Sequence, residues 1–194
     1  MADINVNAKT VAAALADRQA SGAGAVANGP AANEAAQNQP TWDIIELLFF
    51  AYRDFVDDPD EVLSKLAFGR AHHRVLHFVN RNPGMKVADL LDILNITKQS
   101  LGRVLKQLVD QGFVVQREGA QDRRQRLLFV TPKGEALALK LAGLQTARIN
   151  RAIAELGPGA HEAARQFLTA MIDGDNRDGV LHLIARADRA KPRS

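Results

Sequence analysis

The sequence predicts a mainly helical fold that carries one small β-hairpin, and three observations lead to it. The chain of 194 residues is 46% apolar but only 5% aromatic, and it is rich in Ala and Leu. That composition favours helices packed into one globular domain. Several segments repeat apolar residues at the helical spacing and end near Gly or Pro. Two short apolar and β-branched runs flank an arginine-rich stretch, which is typical of a hairpin.

The N-terminal region, residues 1–40, is predicted to be a disordered tail. It is rich in Ala, Asn, Gln and Gly and has almost no large apolar side chains. Such a segment cannot bury enough surface to offset the entropy of ordering it. The globular part is expected over residues 41–187, and residues 188–194 are expected to form a flexible basic C-terminus.

The globular part is expected to begin with a helix over residues 42–56. Its apolar positions cover more than one helical stripe, which predicts burial by more than its own subunit. Asp58-Pro59-Asp60 is expected to start a separate short helix that ends near Leu66. A further helix should run over residues 70–80, because Asn82-Pro83-Gly84 breaks it.

The next two helices are predicted on either side of a turn. A short helix should cover residues 87–94, where the apolar residues recur at helical spacing. Thr97 is a good N-cap for a longer helix that continues to about Gln111. Gly112 then stands where a C-terminal glycine belongs.

The hairpin and the C-terminal helices follow. Residues 113–117 and 126–130 are predicted to be paired strands around a basic tip. Pro132, at a first helical position, opens a long helix to about Leu156. The last helical region is expected over residues 160–187, with a break at Gly174-Asp175-Asn176.

Charge is distributed unevenly, although the formal net charge is only +3. Seven acids and two bases fall between Trp42 and Lys65. Eight bases and three acids fall between Thr97 and Lys133. A polyanion would therefore approach the second segment and avoid the first.

The composition also excludes several function classes. The chain has no cysteine, which rules out disulfides, Cys-ligated zinc, iron–sulfur clusters and thiol-based oxidant sensing. No apolar run reaches the length of a membrane span and no signal pattern begins the chain, so we expect a soluble cytoplasmic protein without a membrane partner. No Ser/His/Asp set or glycine-rich phosphate loop stands in a suitable context, so we expect neither an enzyme nor a cofactor.

The helix from Thr97 carries side chains that suit the major groove of DNA. Gln can pair with adenine, Arg with guanine, and Thr or Ser with a base edge or a phosphate, while Lys106 is better placed for phosphate. The basic hairpin tip suits a narrow minor groove, which attracts arginines. An ordinary solvated helix and turn are the alternative explanation. The predicted DNA-binding residues are Thr97, Lys98, Gln99, Ser100, Arg103, Lys106, Arg123, Arg124 and Arg126.

These segments resemble the MarR family of winged helix-turn-helix regulators from about Thr41 to Leu156. Asp122 and Arg124 match the Asp-x-Arg signature of the wing, as the hairpin is called in this family. Within the family, residues 49–55 and 70–79 resemble a proteobacterial, PetP-like subgroup. The other matching segments are residues 70–76, 87–91, 97–103, 108–114 and 131–134.

The resemblance implies an obligate homodimer that binds double-stranded DNA. Its dimerisation helices, at about 41–66 and 132–187, would interleave, and a DNA-binding lobe would occupy about 70–131. The helix from Thr97, called the recognition helix in this family, would enter a major groove in each copy. Arg124 would be the residue that enters the minor groove. Asp122 would support the wing, because a carboxylate is unsuited to DNA contact and can orient a neighbouring arginine or amide.

We therefore expect a sequence-specific transcription regulator, a repressor, that acts on a pseudo-palindromic operator. The alternative is a winged-helix protein-interaction module, or a non-specific DNA binder without operator recognition. Three departures from the family pattern concern the dimer helices and the effector pocket rather than the DNA-binding residues. They are a longer N-terminal tail, Gly174 in the C-terminal helix, and Gly69-Arg70 in place of a Thr/Ser-Pro helix start.

The resemblance also implies a small-molecule effector, such as an aromatic anion, where the dimer helices meet the lobe. Tyr52, Arg53, His73 and Arg74 would line its pocket, and the alternative is that Tyr52 and Arg74 serve as core and salt-bridge residues. His73 and His77 lie four residues apart on one helical face, a spacing that can hold a metal. Two partly buried histidines at a helix junction explain the same spacing. Without cysteine or a His-Glu-x-x-His pattern we favour that explanation and predict no metal site.

Overall fold

The computed structural model describes residues 39–119, 122 and 124–190, and over these residues the chain forms seven helices and three short strands. The predicted tail up to residue 38 and the predicted C-terminal segment from residue 191 lie outside the described residues. The predicted mainly helical fold with one small antiparallel sheet is confirmed. The elements are α1 (Trp42–Ser64), α2 (Arg70–Arg81), β1 (Met85–Lys86), α3 (Val87–Leu94), α4 (Lys98–Asp110), β2 (Val114–Glu118), β3 (Arg126–Val130), α5 (Pro132–Leu156), α6 (Ala160–Ala170) and α7 (Gly174–Ala190).

The described residues from Glu46 onward belong to one compact unit. Its core forms where α2, α3, α4, the sheet and the first turns of α5 meet, with Leu63 from the end of α1. α4 contributes Leu101, Leu105 and Leu108, whose spacing places them on one buried face of the helix. Burial of each leucine contributes roughly 1.5–3 kcal/mol, so this face holds α4 firmly against the rest of the lobe.

The ends of α4 follow the residues that predict them. Thr97 is the N-cap, and its Oγ1 accepts a hydrogen bond from the Ser100 amide at 3.2 Å. Asn95 adopts a left-handed conformation with φ of 48° and turns the chain between α3 and α4. Gly112 follows the helix with φ of 72°, a value that favours glycine.

The sheet has one more strand than the sequence predicts. Its order is β1-β3-β2, and both pairs are antiparallel. β1 is only two residues long and therefore carries no alternating pattern that could reveal it. Gly84, with φ of 81°, places its amide 2.8 Å from the Leu128 carbonyl oxygen and brings β1 onto β3. β2 starts one residue later than predicted.

The predicted helix break at Asp58-Pro59-Asp60 is wrong. α1 is continuous, and Pro59 lies inside it. An interior proline removes one backbone hydrogen bond and costs about 3 kcal/mol. Val56, Pro59 and Leu63 are the buried residues of α1, so packing of this face offsets the cost.

The C-terminal helices are separated slightly earlier than predicted. The break covers residues 171–173, and Gly174 begins α7 rather than interrupting a helix. The Arg177 guanidinium donates to the carbonyl oxygens of Ala170 and Ile172, each at 2.9 Å. It thereby satisfies carbonyls that a helix end leaves without partners. No helix among the described residues is long and apolar enough to cross a membrane.

Candidate nucleic-acid interface

The outer surface of α4 carries the predicted contact residues. All six of those predicted on this segment are exposed, whereas the leucines on the opposite face are buried. α4 therefore separates a face that packs from a face that is available to a partner. The exposed set is Thr97, Lys98, Gln99, Ser100, Arg103 and Lys106.

Thr97 and Ser100 already serve the start of the helix. In addition to accepting from the Ser100 amide, the Thr97 hydroxyl donates to Ser100 Oγ at 3.0 Å. An N-cap of this kind stabilises a helix by about 1 kcal/mol. Thr97 is thus engaged within the protein, while the Ser100 hydroxyl keeps its own proton for another acceptor.

His72 ties α4 to α2, a contact that the sequence analysis missed. The Gly69 amide donates to His72 Nδ1 at 3.1 Å, so in the neutral ring Nε2 carries the proton. Nε2 then donates to Gln107 Oε1 at 2.6 Å. The Phe68 ring stacks on the imidazole with centroids 4.5 Å apart. No local pattern signals this pairing, because its partners lie 35 residues apart.

Asp122 organises the tip of the hairpin. Its Oδ1 accepts from the Arg124 amide at 2.9 Å, and its carbonyl oxygen accepts from the Gln125 amide at 3.0 Å. Gly119 closes the other side of the turn by donating to the Gln125 carbonyl oxygen at 3.0 Å. A Cβ at Gly119 would come within 2.8 Å of the Asp122 carbonyl oxygen, so the turn requires a glycine there.

The hairpin arginines differ in what they already contact. Arg126 pairs with Glu118 across the β2–β3 register, with Nη1 and Oε1 2.9 Å apart. Both side chains are about half exposed, and such a pair contributes less than about 1 kcal/mol, so a phosphate can compete for Arg126. Arg117 lies over the Phe129 ring at 4.7 Å. Arg124 is exposed, and Arg123 lies outside the described residues.

An open cleft of about 1030 Å³ joins α4 to the hairpin. Lys98, Lys106, Arg124 and Arg126 all line it, so four of the predicted DNA-binding residues meet at one surface. Lys86, which the sequence analysis did not single out, adds a fifth cation from the end of β1. Gln99, Ser100 and Arg103 lie on α4 but outside the cleft lining.

Charge in the cleft is predominantly positive. Among the described residues that line it, Asp110 is the one carboxylate, and it pairs with Lys106 at 2.6 Å. The floor is apolar, with side chains from α3, α4 and β2. A cationic rim over a low-dielectric floor attracts an anionic polymer more strongly than isolated surface charges do. The apolar lining residues are Val87, Ala88, Leu91, Leu101, Leu105, Val109 and Val115.

The residues predicted for an effector pocket have mixed surroundings. Tyr52 and Arg74 are exposed, and Arg53 Nε pairs with Asp54 at 2.8 Å. His73 is buried, and its burial lowers the pKa below the ordinary value of 6.5, an effect that the nearby Asp60 carboxylate partly offsets. The effector pocket stays a prediction.

The described residues contain no group of three or more His, Cys, Asp or Glu side chains placed to hold a metal ion. His73 has a buried side chain, and the His77 ring meets Phe78 edge-on at 5.1 Å. The two side chains therefore differ in burial, because His77 is exposed and its ring contact is with the adjacent residue.

The chain is similar in sequence to known transcription regulators. The sequence model of the MarR family matches residues 68–125. The HTH-type transcriptional regulator PetP of Rhodobacter capsulatus is 48% identical to the chain over 129 residues, which cover 66% of this chain and 78% of PetP.

Solved structures share the fold at lower identity. Streptococcus pneumoniae FabT, in complex with DNA, superposes with a TM-score of 0.61 at 16% identity, over 68% of this chain and 94% of FabT. NadR in complex with 4-hydroxyphenylacetate superposes with a TM-score of 0.59 at 20% identity, over 71% of this chain and 96% of NadR. At these identities the likeness concerns the fold.

Proposed function

Because this chain belongs to the MarR family of DNA-binding transcription regulators, we propose that it acts as a homodimeric repressor on a pseudo-palindromic operator. The observation that carries the proposal is the cleft that joins Lys98 and Lys106 of α4 to Arg124 and Arg126 of the hairpin. One continuous cationic surface, rather than two separate ones, is what a single duplex needs.

The recognition helix would be α4, with its outer face in a major groove. Gln99 and Arg103 are exposed there, and their side chains can form bidentate bonds with adenine and guanine. Arg124 would enter the adjacent minor groove, with its main chain fixed by Asp122. The lysines of the cleft would contact phosphates, which position the protein without reading sequence.

The dimer proposal is supported by apolar side chains that the single chain leaves exposed. On α1, Leu47 is 62% and Phe49 is 70% exposed. On α5 and α6, Leu156 is 76% exposed and Phe167 and Leu168 are also exposed. Large apolar side chains exposed together mark a surface that another protein covers. A second copy would place two recognition helices on half-sites about one helical turn, roughly 34–36 Å, apart.

Release by a small aromatic anion is the regulatory part of the proposal. Its support is the chemistry of single residues on α1 and α2, where Tyr52 supplies an exposed ring, Arg74 an exposed cation and Arg53 a cation paired with Asp54. NadR is a structural neighbour whose structure contains such an anion. Calorimetric titration with aromatic carboxylates, followed by the same titration of Arg74→Ala, tests this part.

The experiment that tests the function measures whether the protein prefers one DNA sequence over others. Duplexes selected from a random pool should share a pseudo-palindrome, and the protein should bind it at least about a thousandfold more tightly than unrelated duplex at fixed salt. Equal affinity for both duplexes, with a steep salt dependence, would instead identify a non-specific binder. No binding to either duplex would favour a protein-interaction module.

A further inference from the structure

Gly102 occupies the middle of α4, where the fold gives no reason for a glycine. Apart from proline, glycine is the least favourable residue for a helix interior. Outside the adjacent backbone of α4, a Cβ built on Gly102 would meet no atom within 4 Å. Gly134 in α5 shows the opposite case, because a Cβ there would overlap the carbonyl oxygen of Phe113. Packing therefore explains Gly134 but does not explain Gly102.

The neighbours of Gly102 belong to the cationic cleft. Gly102 lines the cleft, and Lys98 and Lys106 stand one helical turn before and after it on the same face. Arg124 lines the opposite side. The missing side chain leaves a gap between the two lysines, through which a partner can approach the helix backbone closely.

A duplex that receives α4 in its major groove and the hairpin in the adjacent minor groove must pass one strand between them. The sugar–phosphate backbone is what separates the two grooves, and the cleft is what separates α4 from the hairpin. The strand that crosses the cleft would be flanked by lysine ammonium groups, which bind phosphates as point charges.

We propose that Gly102 is a contact point for the DNA backbone, at which a phosphate strand passes against α4 between Lys98 and Lys106. The inference rests on the proposed function, since it requires α4 and the hairpin to bind one duplex. It assigns to Gly102 a role in affinity rather than in sequence reading, because phosphates are common to every sequence.

The test compares two glycine-to-alanine variants of the full chain. Gly179 in α7 is the matched control, because it is also helical and exposed and a Cβ there would also meet nothing within 4 Å. Both Gly102→Ala and Gly179→Ala should raise Tm by roughly 2–4 °C, since alanine favours the helix. A lower Tm for Gly102→Ala would overturn the premise that the fold does not need this glycine.

DNA binding should separate the two variants. Gly102→Ala should weaken binding at least about tenfold for the selected duplex and for unrelated duplex alike, and should lower the slope of log K against log salt by about one. Gly179 is not among the residues that line the cleft, so Gly179→Ala, once sedimentation shows it to be as dimeric as the unchanged protein, should bind DNA as that protein does. Equal affinity of Gly102→Ala and the unchanged protein would overturn the inference, and a loss confined to the selected duplex would indicate a base contact instead. Failure of the unchanged protein to prefer any duplex would count against the proposed function, whereas the unrelated-duplex arm still tests Gly102.

Discussion

Helices α1 and α4 are both amphipathic, but they bury their apolar faces differently. α4 places Leu101, Leu105 and Leu108 in the core of its own chain and turns cations outward. α1 leaves Leu47 and Phe49 exposed, and its charged residues are mostly acidic. The first helix therefore suits contact with protein and the second suits contact with a polyanion. The proposed assembly and the proposed recognition of DNA would thus use separate surfaces of one chain.

Truncation on the two faces of α4 gives the largest expected effect. Leu108→Ala should lower the free energy of unfolding by about 2–5 kcal/mol, because the leucine is fully buried. Val109→Ala, one residue on and 37% exposed, should lower it by less than about 1 kcal/mol. Urea unfolding measures both changes. Similar losses of unfolding free energy for the two variants would mean that Val109 is also buried, by contact with another chain.

A charge placed on α1 should break assembly without unfolding the chain. Phe49→Glu should shift the sedimentation of the protein toward monomer and weaken operator binding by at least about 100-fold, because the two half-sites are no longer bound together. Phe49→Leu keeps the surface apolar and should keep the dimer. A Phe49→Glu protein that still sediments as a dimer would remove α1 from the proposed interface.

Loss of the hairpin arginine should affect DNA binding alone. Arg124→Ala should weaken operator affinity by about 1–3 kcal/mol with an unchanged Tm, since Arg124 is exposed and its proposed partner is the minor groove. Lys65→Ala removes an exposed cation from the acidic region and should leave affinity within about 0.5 kcal/mol. A gel-shift titration compares the two, and unchanged affinity for Arg124→Ala would reject its assigned role.

The contact between His72 and Gln107 should couple the two helices by a smaller amount. A double-mutant cycle with His72→Ala and Gln107→Ala should give a coupling free energy of about 0.5–1.5 kcal/mol in unfolding, because the two side chains share a short hydrogen bond. The same cycle measured on operator affinity should also show coupling, since His72 holds α4 against α2. Strict additivity in both measurements would contradict this positioning role.

Acid should destabilise the lobe slightly through His73. Burial lowers the pKa of His73 below 6.5, so the unfolded chain takes up a proton before the folded chain does. Stability is therefore lost as pH falls below about 6.5, the unfolded value. Between pH 7.5 and pH 5.5, the Tm of the unchanged protein should fall by more than the Tm of His73→Gln. An equal drop for both would exclude His73 as the cause.

Local signals account for the parts of the fold that the sequence predicts. Thr97, Gly112 and Pro132 each determine a helix end through their own backbone chemistry, and those ends lie where expected. The spacing of apolar residues likewise identifies the buried face of α4. These features depend on residues within a turn of one another.

The parts that sequence does not predict depend on distant contacts. Pro59 stays helical because its face of α1 is buried, and β1 exists only because β3 lies beside it. The partners of His72 and Arg126 are chosen by packing and strand register, neither of which is visible in local sequence. The cleft itself arises from the placement of α4 against the hairpin, which brings together residues that sequence analysis could only name separately.

A hydroxyl-radical footprint on the selected operator is the most direct measurement of how the cationic cleft binds DNA. The dimer should protect two regions whose centres are about 10–10.5 base pairs apart, with flanking minor-groove protection that Arg124→Ala removes. A single protected region, or protection of the same extent on unrelated duplex, would contradict the proposal that two copies of this surface bind one face of the double helix.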